Sequence, residues 1–400
     1  MCRRSSARQS AGLIRVRGGT GSALRDPVVP GSNPGGGTLF SVFIILVVVM
    51  LLEVCGLSEV PSFAYGVVKA LDVRERSIHE LLLEMSSVSF QGRALGEAYR
   101  VLIDMFSDPE NTVFLGLAGS MSTAGMWRII KWLIEERYVD VVVSTGAIIS
   151  EDIYEAMGFK YYKVHPCIDD TLLLKYKYDR FYDTVASELD YRKMESLIGE
   201  FINTLPDSGV YSTAEFLYEF GKYLNEKGID SIVSAAYRAK VPVFSPALVD
   251  SGYGMALVMA YRRGKRVVLD MVKDFHQLVE IGRQGKKLSA IYIGGGVPKD
   301  YVNLVTVAQT LIAEYEEGVH DYYKSFEYIV QFTTDMPQWG GLSGATLEEA
   351  ISWGKVAPHA KKKTVHVDAT IALPLIAHGL KTGRIKRTKP QDTLTVILKH

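Results

Sequence analysis

Three cysteines in 400 residues, Cys2, Cys55 and Cys167, are too few and too scattered for a disulfide framework or a paired zinc motif. The eight histidines also lack ligand spacing, with His359 and His366 in different segments, so no metal is expected. Forty-five basic residues balance forty-five acidic ones. That balance removes the basic surplus expected of a chain whose main partner is nucleic acid or an anionic membrane. Long apolar runs are scarce too. The one uncharged run, Leu39 to Leu52, is shorter than the roughly 20 residues a membrane-crossing helix needs, and lies too far from Met1 for a standard signal peptide. Gly31-Ser-Asn-Pro-Gly35, just before it, is what the usual T-loop of a transfer-RNA gene yields in one reading frame. Met1 to about Thr38 is therefore expected to be translated from an adjacent RNA gene, with Met50 one candidate start. On that reading residues 1–60 are an extension that is not native or is disordered. N-terminal sequencing that returned Met1 or Cys2 from native protein would overturn it.

What the chain has in quantity is apolar residues, 48% of the total, enough for a large core. From Ala70 they alternate between two spacings. Ile78 to Met85, Ala94 to Phe106 and Met126 to Glu136 repeat at helical intervals, whereas Thr112 to Leu117 and Val139 to Ser144 are short continuous runs. Further strands are expected at Val241 to Ser245, Arg266 to Asp270, Ala290 to Ile293 and Tyr328 to Thr333. Continuous Val/Ile runs separated by helices predict a Rossmann-like α/β fold, a parallel sheet with helices on both faces. Asp179 to Lys227 is helix-rich and charged, an insertion or a packing layer. With no repeat and no long linker, residues 61–400 are expected to form a single large domain.

Such sheets bind ligands beyond the C-terminal ends of their strands, and the loops expected there carry glycine and hydroxyl groups. Gly116 and Gly119 would let backbone amides approach a phosphate, with Ser120 ready to donate a hydrogen bond. Ser144-Thr-Gly-Ala147 and Gly294-Gly-Gly296 are two more such loops. None is the G-x-G-x-x-G fingerprint, and tight turns explain many glycines equally well. Lys355 follows Trp353 in a helix-type stretch that opens in a glycine-rich loop. A lysine attacks carbonyl or imine carbon only after its ammonium loses a proton, and an aromatic neighbour that excludes water helps. The ordinary alternative is a solvated surface charge.

Several ordered motifs carry a resemblance. Thr333-Thr-Asp-Met-Pro-Gln-Trp-Gly-Gly-Leu-Ser-Gly-Ala-Thr346, Ser352-Trp-Gly-Lys355 and Val367-Asp-Ala-Thr-Ile-Ala-Leu-Pro374 are preceded by five others. These are Ser89-Phe-Gln-Gly-Arg-Ala-Leu-Gly96, Leu115-Gly-Leu-Ala-Gly119, Val139-Asp-Val-Val-Val-Ser-Thr-Gly146, Val243-Phe-Ser-Pro-Ala-Leu-Val-Asp250 and Gly294-Gly-Gly-Val-Pro-Lys299. Over roughly residues 85 to 385 this pattern resembles the deoxyhypusine synthase family. The resemblance implies NAD as cofactor, held by the loop Gly119, Ser120, Met121, Ser122 and Thr123, by Thr145, Gly146, Ala147 and Glu151, and by Asp250, Gly295, Thr334, Asp368 and Ala369. It implies a polyamine site at Ser150, Glu151, Asp300, Glu349 and Trp353, with Lys355 catalytic. Glu151, Asp250 and Asp368 could equally serve as helix caps, turn residues or complements to a helix dipole.

The implied reaction moves the aminobutyl group of spermidine onto Lys355 as an imine, with loss of diaminopropane, and then onto a lysine of the translation factor 5A precursor. Hydride passes to NAD and back. The resemblance also implies a cytoplasmic homotetramer. Four positions depart from the family. Asp300 stands where histidine is usual, and Met255, Trp339 and Leu342 stand where acids are usual. Apolar residues would penalise a buried ammonium, which implies an amine that is shorter, differently charged or differently oriented. The pattern resembles the deoxyhypusine-synthase-like branch. Transfer between small amines of the homospermidine type, release of NADH by a simple dehydrogenase, and NAD binding without turnover are the alternatives.

Overall fold

Successive residues of a strand point to opposite faces of its sheet, and here that alternation splits the core in two. The computed structural model describes residues 64–320 and 322–399; the expectations for residues 1–60 lie outside the described residues. Six strands form the main sheet: β1 Asn111–Leu117, β2 Val141–Ser144, β3 Val243–Phe244, β4 Lys287–Ile293, β5 Phe326–Thr333 and β6 Val356–His366. All pairings are parallel, in the order β6-β5-β4-β1-β2-β3. The expected α/β architecture is therefore present. Val113, Leu115, Ile291, Ile293, Val330 and Phe332 join one core with residues of the helices Phe90–Ser107, α1 Trp127–Glu135 and α5 Ala369–Thr382. Phe114, Ala290, Tyr292 and Ile329 join the other, against helices Met271–Gln284 and α4 Gly296–Tyr315. Each fully buried large apolar side chain contributes about 1.5–3 kcal/mol, so strands buried on both faces are the main source of stability. Two further helices bear on the site, α2 Ile148–Ala156 and α3 Gly252–Arg262.

Strand order reverses between β1 and β4. From β1 the chain adds β2 and β3 on one side, and from β4 it adds β5 and β6 on the other. The loops after β1 and β4 therefore diverge at their C-terminal ends and leave a crevice, the usual ligand position in an open α/β sheet.

Three local expectations are corrected. Arg266–Leu269 is a strand, but it pairs with Ser208–Tyr211 in a separate two-stranded sheet. Its residues alternate between exposed and half-buried, which suits a one-sided sheet rather than the doubly covered one. The helix-type stretch before Lys355 is only a 3₁₀ helix, Glu349–Trp353, ended by Gly354 at φ +67°. Strand β6 was not anticipated, because Pro358 and Lys361 to Lys363 break any apolar pattern. As an edge strand it needs only one neighbour and can expose charge. The charged stretch from Asp179 holds helices Glu188–Thr204 and Thr213–Glu226, which pack on α3 and on Ile232–Ala239 respectively. Among the described residues no helix is long and apolar enough to cross a membrane.

Candidate functional site

The crevice at the strand reversal is a cleft of about 430 Å³. Ala118, Gly119 and Met121 line it from the β1 side, and Gly294, Gly295 and Gly296 from the β4 side. Thr333, Thr334 and Asp335 close it from the end of β5, with Ser343, Val367, Asp368 and Ala369 completing the wall. Gly119 and Gly294 have φ of +91° and +72°, a region L side chains rarely enter. A Cβ on Gly295 would lie 2.4 Å from Ser343 Cα, so the Ser343 loop rests on bare backbone. Gly295 also caps α4 without any side-chain hydrogen bond, which leaves first-turn amides open to an anion. Asp368 caps α5 through Oδ1, which accepts from Thr370 N at 2.8 Å and Thr370 Oγ1 at 2.7 Å. Its carboxylate therefore fills the capping role and lines the cleft as well. Bare glycine backbone, an uncapped helix start and a carboxylate at the rim suit the phosphates and ribose hydroxyls of a dinucleotide such as NAD.

The other residues assigned to the cofactor gather elsewhere. Ser122 Oγ donates to Ile148 O at 2.6 Å and Thr123 Oγ1 to Glu151 Oε2 at 2.7 Å, which ties the β1 loop to the start of α2. Thr145 N donates to Leu117 O at 3.2 Å, and Ala147 is the N-terminal boundary of α2. A Cβ on Gly146 would meet Ser251 Oγ at 2.5 Å. Glu151 is buried, and burial raises its carboxyl pKa despite the opposing Thr123 hydrogen bonds. Ser150 Oγ donates back to Ala147 O at 3.1 Å. Asp250 is exposed in a turn closed by its own N–H to Ala247 O at 2.9 Å. None of these lines the cleft, and Ser120 lies exposed in its loop. Ser150 and Glu151 do not line the lysine pocket either. Asp152, beside Glu151, caps helix Ile232–Ala239 by accepting from Ile232 N at 2.5 Å. Complete burial pushes its carboxyl up to about 7.

Lys355 lies beside the start of β5, whose Phe326 N donates to Lys355 O at 3.0 Å. Its backbone is thus at the opposite end of the strands from Asp368. The side chain enters a second pocket, of about 290 Å³, lined by Lys299, Asp300, Asn303 and Leu304 of α4 and by Leu342, Ala345, Thr346, Glu349, Ala350 and Trp353. Lys355 Nζ lies 2.7 Å from Asp300 Oδ1, with side-chain exposures of 12% and 25%. It also sits 5.1 Å from the centre of the Trp353 ring, within cation–π range. The amine is therefore turned away from bulk solvent and held as an ion pair, from which a proton must leave before it can attack. Asp300, Glu349 and Trp353 share this pocket as expected residues of one site.

Two residues that the sequence reading passed over support both cavities. Lys299 is buried, and its Nζ donates to Gln331 Oε1 at 2.9 Å, Ala345 O at 2.5 Å and Leu342 O at 3.3 Å. Burial lowers its pKa to about 8, against the pull of Glu349 and Asp300. Gln331 Nε2 donates to Gly294 O at 2.9 Å and Ser343 O at 2.8 Å. The segment Leu342–Ala345 is thereby held as a thin common wall, Ser343 facing the cleft and Leu342 and Ala345 facing the lysine pocket. A glutamine inside the apolar run of β5 was the available signal, since a buried amide needs partners. Of the unusual apolar positions, Leu342 alone lines the lysine pocket. Met255 lies in a separate groove with Arg192, Glu195 and Met259, and Trp339 is exposed.

Comparison with known proteins agrees with the motifs. The family profile for deoxyhypusine synthase matches residues 80–380. Over 324 residues the chain is 43% identical to a protein named probable deoxyhypusine synthase 2 from Methanosarcina acetivorans, covering 80% of this chain and 92% of that one. A protein of the same name from Archaeoglobus fulgidus is 45% identical over 296 residues, 74% of this chain and 95% of its own. A deoxyhypusine synthase-like protein from Chlorobaculum tepidum is 38% identical over 315 residues, 78% of this chain and 88% of that one. In fold, a crystal structure from Entamoeba histolytica with a provisional deoxyhypusine synthase designation matches at a TM-score of 0.51 and 17% identity, covering 78% of this chain and 95% of that one. The family profile over residues 80–380 and these relatives together establish that the chain belongs to the deoxyhypusine synthase family.

Proposed function

We propose that the chain is an NAD-dependent transferase that carries an aminoalkyl group on Lys355. The donor in this reading is spermidine, the group is its 4-aminobutyl end, and the acceptor is a lysine of the translation factor 5A precursor. The observation that carries it is the placement of Lys355 Nζ, 2.7 Å from Asp300 in a pocket that also holds Glu349 and Trp353, behind a thin wall from the cleft. Gly119, Gly294, Gly295, Thr334, Asp368 and Ala369 would hold NAD. Bound there, it supplies the hydride acceptor and donor that amine oxidation and imine reduction require.

The chain's own residues do the rest. Asp300 and Glu349 receive the ammonium groups of the polyamine, and Trp353 covers the lysine and limits water. Lys355 keeps the aminoalkyl group as an enzyme-bound imine until the acceptor amine replaces it. Lys299 and Gln331 hold the wall, so that the reacting carbon and Lys355 stay in line. The enzyme in this reading is a cytoplasmic homotetramer, an assembly supported by the exposed apolar side chains Val249, Met255, Val258 and Met259.

Transfer to a small amine, as in forming homospermidine, is a second reading, favoured by Leu342 in the pocket wall and by the synthase-like name of one relative. Labelled spermidine, NAD and the factor precursor, with Lys355→Arg as control, separate the readings. Label on the precursor supports the first, and label only in a new polyamine the second. NADH release without transfer would leave a dehydrogenase, and neither label nor NADH a binding protein. Borohydride trapping followed by mass spectrometry of the Lys355 peptide tests the imine directly.

A further inference from the structure

Four charged side chains line the lysine pocket, Lys299 and Lys355 against Asp300 and Glu349, so the pocket is balanced before any amine enters. The two carboxylates differ. Glu349 forms no ion pair among the described residues, and its Oε2 takes only the Thr346 hydroxyl at 3.3 Å. Asp300 is already engaged with Lys355 at 2.7 Å. The first ammonium of an entering amine therefore finds a seat at Glu349, and a second finds Asp300 occupied. With a diamine seated, Lys299, Lys355 and two ammonium groups would set four cations against two acids in this half-buried corner, at high cost, because charges a few ångströms apart in a partly desolvated site repel strongly.

We propose that Asp300 exchanges partners: the second ammonium of a diamine takes its carboxylate, and Lys355, displaced, gives its proton to water. This rests on the amine-transfer reading and adds to it a means by which the substrate itself generates the neutral nucleophile. The diamine brings two ammonium groups and one proton leaves to water, so the pocket gains one net positive charge while Asp300 stays ionised and Lys355 becomes a neutral amine. The other charged or titratable groups facing Asp300 are Lys299 on the same helix, whose low pKa already reflects burial, and Tyr292 of β4, whose hydroxyl is raised by burial and by Asp300. Tyr292 is satisfied by Asn303 Oδ1 at 2.7 Å, and its proton is held too firmly to compete. Chain-length selectivity follows, since a ligand must span Glu349 and Asp300 to trigger release.

The test is calorimetric titration of the full chain, saturated with NADH so that turnover cannot start, in two buffers of different ionisation enthalpy at pH 7.5. 1,4-Diaminobutane is expected to release about one proton per molecule bound, and butylamine, with one ammonium, close to none. Lys355→Met should abolish the release while still binding the diamine, and Asp300→Asn should weaken diamine binding roughly tenfold or more with little change for butylamine. Diamine binding without proton release overturns the exchange and leaves the amine pocket standing. Release that persists in Lys355→Met assigns the proton to Lys299 and also overturns it. Binding of neither amine removes the amine-transfer reading itself, and the exchange with it.

Discussion

Arg387–Asp140 and Lys355–Asp300 are both close cation–carboxylate pairs, separated by 2.6 and 2.7 Å, yet their surroundings are opposite. Arg387 and Asp140 are 1% and 0% exposed. Both Asp140 oxygens are taken, by Arg387 and Val113 N on one side and Gln391 N on the other. That pair pins the C-terminal segment to the start of β1 and β2. Lys355–Asp300 stands at a pocket, and its second carboxylate oxygen has no protein partner among the described residues. A buried pair whose carboxylate has both oxygens occupied can only be broken at a loss, whereas a pair whose carboxylate is open on one side can change partners. Occupation of both carboxylate oxygens, rather than the residue types, separates a locked pair from one free to exchange.

Breaking each pair sharpens the contrast. Lys355→Arg keeps the charge and the contact to Asp300 but removes the primary amine, and transfer is expected to fall by at least about a thousandfold. Its urea unfolding curve should stay close to that of the parent chain. Asp140→Asn reverses the pattern. It leaves Arg387 buried without a counter-charge, and denaturant melts should show a loss of about 3–5 kcal/mol, with turnover per folded molecule preserved.

The support between the cavities gives smaller effects. Gly295→Ala places a methyl group against Ser343, and the shifted wall is expected to weaken NADH binding roughly tenfold by fluorescence titration. Lys299→Met should alter a pH dependence. The Lys299 pKa is lowered in the folded chain to about 8 from 10.5, so between those values the unfolded chain holds a proton that the folded one does not. Stability therefore rises with pH across that window, by at most about 1.4 kcal/mol per pH unit. Urea melts at pH 8 and pH 9 should show that rise in the parent chain and its loss in Lys299→Met. An unchanged slope would mean that Lys299 is not titrating there.

The parts of the fold legible in sequence were those in which local pattern and tertiary role agree. Val141 to Ser144 and Ala290 to Ile293 are continuous apolar runs because both faces of β2 and β4 are covered. Strand β6 was hidden because an edge strand can carry Lys361, Lys362 and Lys363 without penalty. Arg266–Leu269 read as a strand correctly but gave no sign of its partner, since pairing is a choice between distant segments that local spacing does not encode. At the site, Lys355 and the glycine loops were visible as residue types in motifs. Lys299 was overlooked because its burial, and the three acceptors that make burial tolerable, come from Gln331 and from the Leu342–Ala345 segment.

Sequence alone determined the class of fold, two of the three glycine loops, those that meet at the cleft, and Lys355 as the amine to explain, because each is written in short-range spacing or in an ordered set of motifs. Tertiary structure decided the rest. It put Lys355 beside Asp300 across 55 positions of chain, left Ser150, Glu151 and Asp250 outside the lysine pocket and the cleft, and made Leu342–Ala345 the wall between the two. Partner, burial and remaining hydrogen-bond capacity set the chemistry of an ionisable group, and all three are properties of neighbours in space rather than neighbours in sequence.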